Sequence, residues 1–213
     1  LSNGIYLLQQ HGGEDYHGML VELDDGLMVL EAPAMIGDGR ELARIARSVS
    51  PKPVRYVVPT HHHDDHSAGA AALARAGATI LTTPGNVEFF TTMAASPRWI
   101  AFGSAAPAHA RVRALGRDER IGPVRFIDIG SAGHAREHLV FHFPDHGLLF
   151  HSDMGRFNPD GSVEPARRQT CHLLAQIEAR GLRVERILSG HGRIGTMEDP
   201  RRAVAHPRSA CPP

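Results

Sequence analysis

Apolar and polar residues alternate along the first part of the chain, a pattern typical of strands with one buried face. In MLVELDDGLMVLEAP this alternation lies on both sides of Asp25-Gly26, a dipeptide that favours a tight hairpin turn. Residues 19 to 31 are therefore predicted to form two antiparallel strands. The next stretch, DGRELARIARSVS, has apolar residues at helical spacing, with Asp38 as the predicted N-cap and Pro51 beyond the end.

A second pattern joins a strand, a polar loop and a helix. The valine-rich stretch VRYVV (54 to 58) predicts a buried strand that leads directly into THHHDDH, residues 60 to 66. The alanine-rich stretch SAGAAALARAG then predicts a helix that ends at Gly77, and ATIL predicts a short strand. Rigid folds present functional side chains on loops at strand ends, so this loop is the first candidate for chemistry.

The second half repeats this outline after a less regular stretch, 84 to 120, in which we expect one helix and a covering loop. Residues 198 to 213, rich in proline and arginine, are expected to be a loose tail. Two strand-rich halves with helices predict an α/β (α+β) fold, with two mixed sheets face to face and helices outside, in one domain over residues 1–213. In the second half, the predicted strands are 123 to 129, 138 to 143, 148 to 152 and 184 to 188, and the predicted helix is 165 to 180.

Charge and hydropathy restrict the classes of molecule that this chain is expected to bind. Lys plus Arg and Asp plus Glu both number 23, so the formal net charge is zero and no basic surface argues for nucleic acid. No apolar run reaches the roughly 18 residues needed to span a bilayer, and LSNGIYLLQQ lacks the features of a targeting signal. We expect a small-molecule substrate and a cytoplasmic location, with the periplasm as the alternative because the chain starts at Leu1 rather than Met. Nothing indicates the oligomeric state.

Side chains that bind metals are unevenly represented. Cys171 and Cys211 are the only cysteines and have no CxxC spacing, so we expect neither a disulfide framework nor a thiolate zinc site. Cys171 is expected to be buried and Cys211 loose. The fifteen histidines, by contrast, are a surplus that points to metal or proton chemistry.

Ligand-type side chains follow four of the predicted strands. They lie in THHHDDH, GHAREH, HSD and SGHG, and strand ends on one side of a sandwich converge in space. One zinc ion takes about four or five ligands, so seven protein donors suit two ions. The seven candidates are His61, His63, Asp65, His66, His134, Asp153 and His191.

These four segments, in this order and with THHHDDH as an HxHxDH motif, resemble the metallo-β-lactamase superfamily over essentially the whole chain. The chain is most similar to its broadly distributed branch without a defined substrate. The resemblance implies a four-layer αβ/βα sandwich with a metal cleft at one edge of its sheets, holding two Zn²⁺ ions, with Fe or Mn as alternatives. The implied ligands are His61, His63 and His134 for the first ion, and Asp65, His66 and His191 for the second, with Asp153 bridging.

The implied chemistry is hydrolysis. Two divalent cations lower the pKa of a shared water from about 15.7 to about 7, so hydroxide is available at neutral pH as the nucleophile. Asp65 is expected to orient that water and to carry a proton to the leaving group. The predicted function is therefore a dinuclear zinc hydrolase acting on a small ester, lactone, thioester, β-lactam or phosphodiester, and β-lactamase activity stays open.

Two other functional classes fit the same residues. One is a mononuclear iron dioxygenase of the persulfide type, which would use only His61, His134 and Asp153. The other is a metal-binding domain without turnover. Substrate-binding residues are unknown from the sequence, although the 11 to 18 loop and the 84 to 120 stretch, with Phe89, Phe90, Trp99 and Phe102, are where specificity is expected.

The remaining histidines and neighbouring charges have ordinary interpretations. His11, His17, His142 and His146 are expected to be exposed, His138 to begin a strand, and His151 to lie in the core or beside the ligands. Asp64 is a candidate hydrogen-bond acceptor for a ligand histidine. GHAREH departs from the commoner family pattern, since Ala135, Arg136 and Glu137 stand where relatives carry Thr or Ser and a small residue. Arg136 is expected to be exposed, with contact to an anionic substrate as the alternative.

Overall fold

The computed structural model describes residues 1–9, 16–33, 39–96 and 110–211. Contacts between Cα atoms divide the chain into two units, and each has its own sheet and apolar core. Among the described residues, the first unit contains 1–9, 16–33, 39–96 and 110–116, and the second contains 117–211.

The first unit is built on a mixed sheet. Its first three strands are antiparallel and the remaining strands run parallel to β3. The hairpin predicted for 19 to 31 is confirmed, and VRYVV forms a strand, although Arg55 in it is exposed and only Val57 and Val58 are buried. In spatial order the strands are β1 (Ile5–Gln9), β2 (His17–Leu23), β3 (Gly26–Leu30), β4 (Val54–Val58), β5 (Thr79–Thr82) and β6 (Arg111–Ala114).

Helices cross over between these parallel strands, because parallel neighbours cannot be joined by a short hairpin. The helix α1 (Gly39–Val49) joins β3 to β4, and α2 (Asp64–Ser67) and α3 (Ala70–Arg75) join β4 to β5. The helix α4 (Val87–Ala95) follows β5. Apolar side chains from helices and strands form one core, which includes Leu42, Val57, Leu73, Ile80 and Phe90. The predicted N-cap Asp38 lies outside the described residues.

The second unit has a sheet with the order β11-β10-β9-β8-β7, in which only the β10–β11 pair is parallel. Helix α5 and helix α6 belong to this unit, and its core includes Ile127, Val140, Leu149, Leu173 and Ile187. Its elements are β7 (Arg120–Ile121), β8 (Val124–Asp128), β9 (Leu139–Phe143), β10 (Leu148–Phe150), α5 (Arg168–Ala179), β11 (Arg186–Leu188) and α6 (Glu198–Ala205).

The C-terminal segment is more ordered than its composition predicts. Residues Glu198–Ala205 form α6 instead of the expected loose tail, and Ala203 is buried. Ala166 N donates to Ala203 O at 2.9 Å, and Ala210 N donates to Ala166 O at 2.8 Å. Pro200 lies in the first turn of α6, where a missing N–H costs no helical hydrogen bond.

The expectation that Cys171 is buried and Cys211 loose, without a disulfide, is wrong. Cys171 on α5 and Cys211, which are 40 positions apart in the chain, form a disulfide with their Cα atoms 5.4 Å apart. Sequence spacing cannot reveal such a pair, because the approach of the two residues depends on how α6 returns along α5. The bond closes a covalent ring within the second unit.

The architecture confirms the predicted α/β (α+β) class, since both sheets are mixed and both units carry helices. The single domain over residues 1–213 stays a prediction. Within the described ranges, no helix combines the length and apolar character required to cross a membrane.

Reduction of the Cys171–Cys211 disulfide should lower the free energy of unfolding by about 2–4 kcal/mol, because the bond restricts the unfolded chain. Urea unfolding monitored by circular dichroism, with and without dithiothreitol, measures this difference. The matched control is the double variant Cys171→Ser/Cys211→Ser, whose unfolding midpoint should not respond to dithiothreitol. An equal response in both proteins would show that the reductant acts elsewhere.

Candidate metal centre

The histidine loop begins two residues after β4 and runs into α2. His61 is buried, with 1% of its surface exposed, and its Nδ1 lies 3.0 Å from the Thr60 hydroxyl. Its other ring nitrogen, Nε2, lies 2.9 Å from Nδ1 of His63. The two rings are 4.4 Å apart between centroids, so the loop directs two imidazoles to one point.

A buried carboxylate fixes the second part of this loop. Glu31 follows β3 with a left-handed φ of 64° and has no exposed surface. Its Oε1 accepts a hydrogen bond from Thr60 N at 2.9 Å, and its Oε2 lies 2.9 Å from His66 Nδ1. A carboxylate only accepts, so a hydrogen bond at this contact requires the His66 proton on Nδ1 and leaves the lone pair of Nε2 for a metal. That Nε2 lies 3.2 Å from Asp65 Oδ2.

The second unit presents three further donors on loops that follow strands. Asp153 lies in a 3₁₀ turn, Ser152–Met154, directly after β10. Its Oδ2 is 2.9 Å from His134 Nε2, and its Oδ1 is 3.1 Å from His191 Nε2. One carboxylate therefore faces two imidazoles with its two separate oxygens.

Hydrogen bonds to buried groups hold these three loops. Ser189 Oγ lies 2.7 Å from Ser152 O and 2.6 Å from Gly155 O, and it accepts from His191 N at 3.1 Å. His138 Nε2 lies 3.1 Å from His151 O, which links the segment before β9 to the turn that carries Asp153. These contacts join ligand loops that are far apart in sequence.

A charged network anchors the segment between His191 and α6. Asp199 is buried and accepts hydrogen bonds from Arg193, Arg202 and the backbone N–H of Thr196. Burial opposes the charge of this carboxyl, but the hydrogen bonds from Arg193, Thr196 and Arg202 outweigh it and lower the pKa of Asp199. The carboxylate is thus ionised at neutral pH and ties α6 to the residues that follow His191.

Several histidines lie where the sequence does not predict them. The expectation of exposure is wrong for His17 and His142, which are both buried on strands, and His142 Nε2 lies 3.1 Å from Arg183 O. Burial also lowers the pKa of His142. His151 lies in the core as expected, with its ring 5.6 Å from that of Phe157, and burial lowers its pKa to about 4. His138 is also buried, and it immediately precedes β9 rather than lying in it.

Other sequence candidates have mixed outcomes. Asp64 is exposed and accepts a hydrogen bond from Asp65 N at 3.0 Å. Among the described residues, the carboxylate beside a candidate ligand histidine is instead Glu31, which the sequence did not indicate. Arg136 is exposed, as expected, and His146 is partly buried. His11, Trp99 and Phe102 lie outside the described residues, as does most of the 11 to 18 loop.

Donors of the kind that bind metal ions occur in both units. Nitrogen and carboxylate oxygen donors without thiolate suit zinc, and also iron or manganese. The chemistry of the donor set therefore fits a metal cofactor, while the roles of individual residues stay predictions. The candidate donors are His61, His63, Asp65 and His66 in the first unit, and His134, Asp153 and His191 in the second.

Comparison with known proteins agrees with this chemistry. A sequence profile described as "Metallo-beta-lactamase superfamily" matches residues 19–191. The solved structure of the metallo-beta-lactamase FIM-1 from Pseudomonas aeruginosa in its mono-zinc form is 21% identical, with a TM-score of 0.68, over 96% of this chain and 91% of that chain. A metallo-beta-lactamase from Pontibacter korlensis is 20% identical, with a TM-score of 0.67, over 96% and 95% of the two chains.

A rubredoxin oxygen:oxidoreductase from Desulfovibrio gigas is also similar in fold. It is 19% identical, with a TM-score of 0.65, over 96% of this chain and 59% of that chain. No curated protein matches the sequence. The chain belongs to the metallo-β-lactamase superfamily, as its four motifs predict, and its fold is the one shared by these structures. Within that fold it has a His/Asp cluster that supports a metal cofactor.

Replacing Glu31 by Gln tests the role of the buried carboxylate. The amide can still accept from Thr60 N, but its NH₂ group would donate to His66 Nδ1 and move the ring proton to Nε2. Zinc affinity, measured by competition with a chromophoric chelator, should fall by about 10- to 100-fold while the fold is retained. Glu164→Gln, an exposed substitution, is the control and should bind zinc as the unmodified protein does. Unchanged affinity in Glu31→Gln would contradict this role.

Replacing Gly192 by Ala tests the backbone beside His191. Gly192 has φ +92°, and an added Cβ would lie 2.3 Å from Phe157 O. We expect a loss of about 2–5 kcal/mol in the free energy of unfolding, from the left-handed conformation and the close contact together. Gly161→Ala is the matched control, since Gly161 has φ +80° with nothing within 4 Å of an added Cβ, and it should lose only about 1–2 kcal/mol. Equal losses in urea unfolding would exclude the contact as a cause.

Proposed function

We propose that the chain is a metal-dependent hydrolase that binds two metal ions, zinc being the favoured metal. Its substrate would be a small ester, lactone, thioester, β-lactam or phosphodiester. The observation that carries this proposal is the Asp153 carboxylate, whose two oxygens approach His134 and His191 separately at 2.9 and 3.1 Å. A carboxylate in this arrangement is suited to bridge two ions rather than to serve one.

Each ligand histidine would bind as a neutral ring. The ring of His66 is held by Glu31 with its Nε2 lone pair available, and that of His61 is held by Thr60 through Nδ1. We assign His61, His63, His134 and Asp153 to the first ion, and Asp65, His66, Asp153 and His191 to the second. When bound, such a metal pair polarises the scissile group and lowers the pKa of a water to about 7.

Asp65 is the proposed proton-transfer residue. Its side chain is one third exposed, at 34%, so it reaches solvent while its Oδ2 lies 3.2 Å from His66 Nε2. A carboxylate in this position can orient the attacking water, accept its proton and pass the proton to the leaving group. The residue thus combines a ligand role with a catalytic role.

The disulfide is relevant to the cellular location of the protein. Disulfides persist in oxidising compartments and are rare in the cytosol. The Cys171–Cys211 bond therefore favours an exported location, such as a periplasm, over the cytoplasmic location expected from the sequence. Small-molecule substrates, and the absence of a nucleic-acid or membrane partner, stay part of the proposal.

Elemental analysis combined with a hydrolysis screen tests the proposal. We expect two zinc ions per chain and turnover of at least one substrate class, abolished by chelation and restored by zinc. Asp65→Asn should lower kcat by about 10²- to 10⁴-fold. Asp24→Asn, in an exposed turn, is the control and should leave kcat unchanged.

Two experimental results would favour the other two functional classes over the hydrolase. One iron per chain with oxygen consumption would support the mononuclear dioxygenase. Two bound metals without hydrolysis of any ester, lactone, phosphodiester or β-lactam would support a metal-binding domain without turnover.

A further inference from the structure

Two residues of the histidine loop have ligand-type side chains but are not among the candidate metal ligands. His62 and Asp64 alternate with the candidate ligands, and both line a separate cavity within the first unit. This cavity has a volume of about 990 Å³, which is within the range of small-molecule sites. Its remaining lining comes from the loop after His66 and from α4: Ser67, Ala68, Gly85, Glu88, Phe89, Thr92, Met93 and Ser96.

The aromatic wall of this cavity is held in place although it is exposed. Phe89 is 42% exposed, yet its ring makes edge contacts with two neighbours. Its centroid lies 5.1 Å from that of Phe90, which is fully buried, and 5.5 Å from that of His62. Met93 and Ala68 are buried and add apolar surface. A large apolar side chain braced in this way is suited to receive a ligand.

The charge of the cavity selects the ligand. Asp64 and Glu88 are both exposed carboxylates of the lining, and none of the lining residues that the structure describes is a lysine or arginine. Across the described ranges neither carboxylate forms an ion pair, and Asp64 uses only Oδ1, to accept from Asp65 N. Two carboxylates beside an aromatic face attract a cation, since the ring face is itself negative.

We propose that this cavity binds organic cations in which an ammonium group is attached to an apolar body. The apolar body would lie against Phe89 and Met93, and the ammonium group between Asp64 and Glu88. Because His62 and Asp64 belong to the loop that carries His61, His63 and Asp65, the bound cation would lie directly beside the candidate metal ligands. The inference does not depend on turnover, so it can fail or hold independently of the proposed hydrolase activity.

A charge series of benzyl compounds tests the proposal on the full chain. Benzyltrimethylammonium, benzyl alcohol and benzylsulfonate are titrated into ¹⁵N-labelled protein, and affinity and location are read from amide chemical shifts. The cation should bind about fivefold more tightly than the alcohol, and the sulfonate should bind most weakly. Shifts should centre on His62, Asp64 and α4. Equal binding of all three compounds, or shifts centred elsewhere, would overturn the proposal.

Two variants separate charge from the aromatic surface. Glu88→Gln keeps the shape and should weaken binding of the cation by about two- to fivefold, without affecting the alcohol. Phe89→Leu should weaken the cation by about two- to fivefold through loss of the ring face. Glu164→Gln, which is exposed and outside the lining, should leave all affinities unchanged. If Glu88→Gln and Glu164→Gln behave alike, the charge argument fails.

Titration of the chelator-treated protein tests whether the cation binds at the candidate metal ligands instead of in the cavity. The cation should bind with the same affinity, within about twofold, before and after metal removal. Binding that appears only after metal removal would mean that the cation occupies the emptied carboxylates, which would overturn the proposal.

Discussion

An imidazole binds a metal only through a nitrogen that carries no proton, so each ligand ring needs its other nitrogen held by a suitable partner. For the candidate ligand His66 that partner would be Glu31, and because Glu31 also accepts from Thr60 N it fixes the ring and the loop backbone together. The carboxylate reaches this position from the end of β3, next to the strand that carries the histidine loop. The parallel pairing of β3 and β4 is thus what brings the acceptor to the ring.

The strand ends were predictable from the sequence because they combine two local signals. VRYVV has three valines and a tyrosine, residue types that favour a strand, and a run of ligand-type residues follows it. Asp153 and His191 follow β10 and β11 in the same way. The family motifs then supplied the order of the candidate ligands, which periodicity alone would not reveal.

The errors concern residues whose environment is set by distant parts of the chain. All five residues of β9 are buried, because the strand lies between β8 and β10, so the polar His142 could not be recognised as a core residue by alternation. Glu31 and His66 are 35 positions apart, and no local pattern marks an acidic residue as a buried partner. Similarly, Arg202, one of the arginines that suggested a loose C-terminal segment, pairs with Asp199 together with Arg193, which gives α6 a fixed attachment.

The bond between Cys171 and Cys211 has a topological consequence for His191. The closed circuit of backbone that it completes contains most of α5, all of β11 and the loop with this histidine. A single proteolytic cut within this covalent ring would leave the two fragments joined through the disulfide. In the intact ring His191 is attached to the rest of the molecule by two routes, so one cut leaves a single route and a second cleavage would be needed to release it.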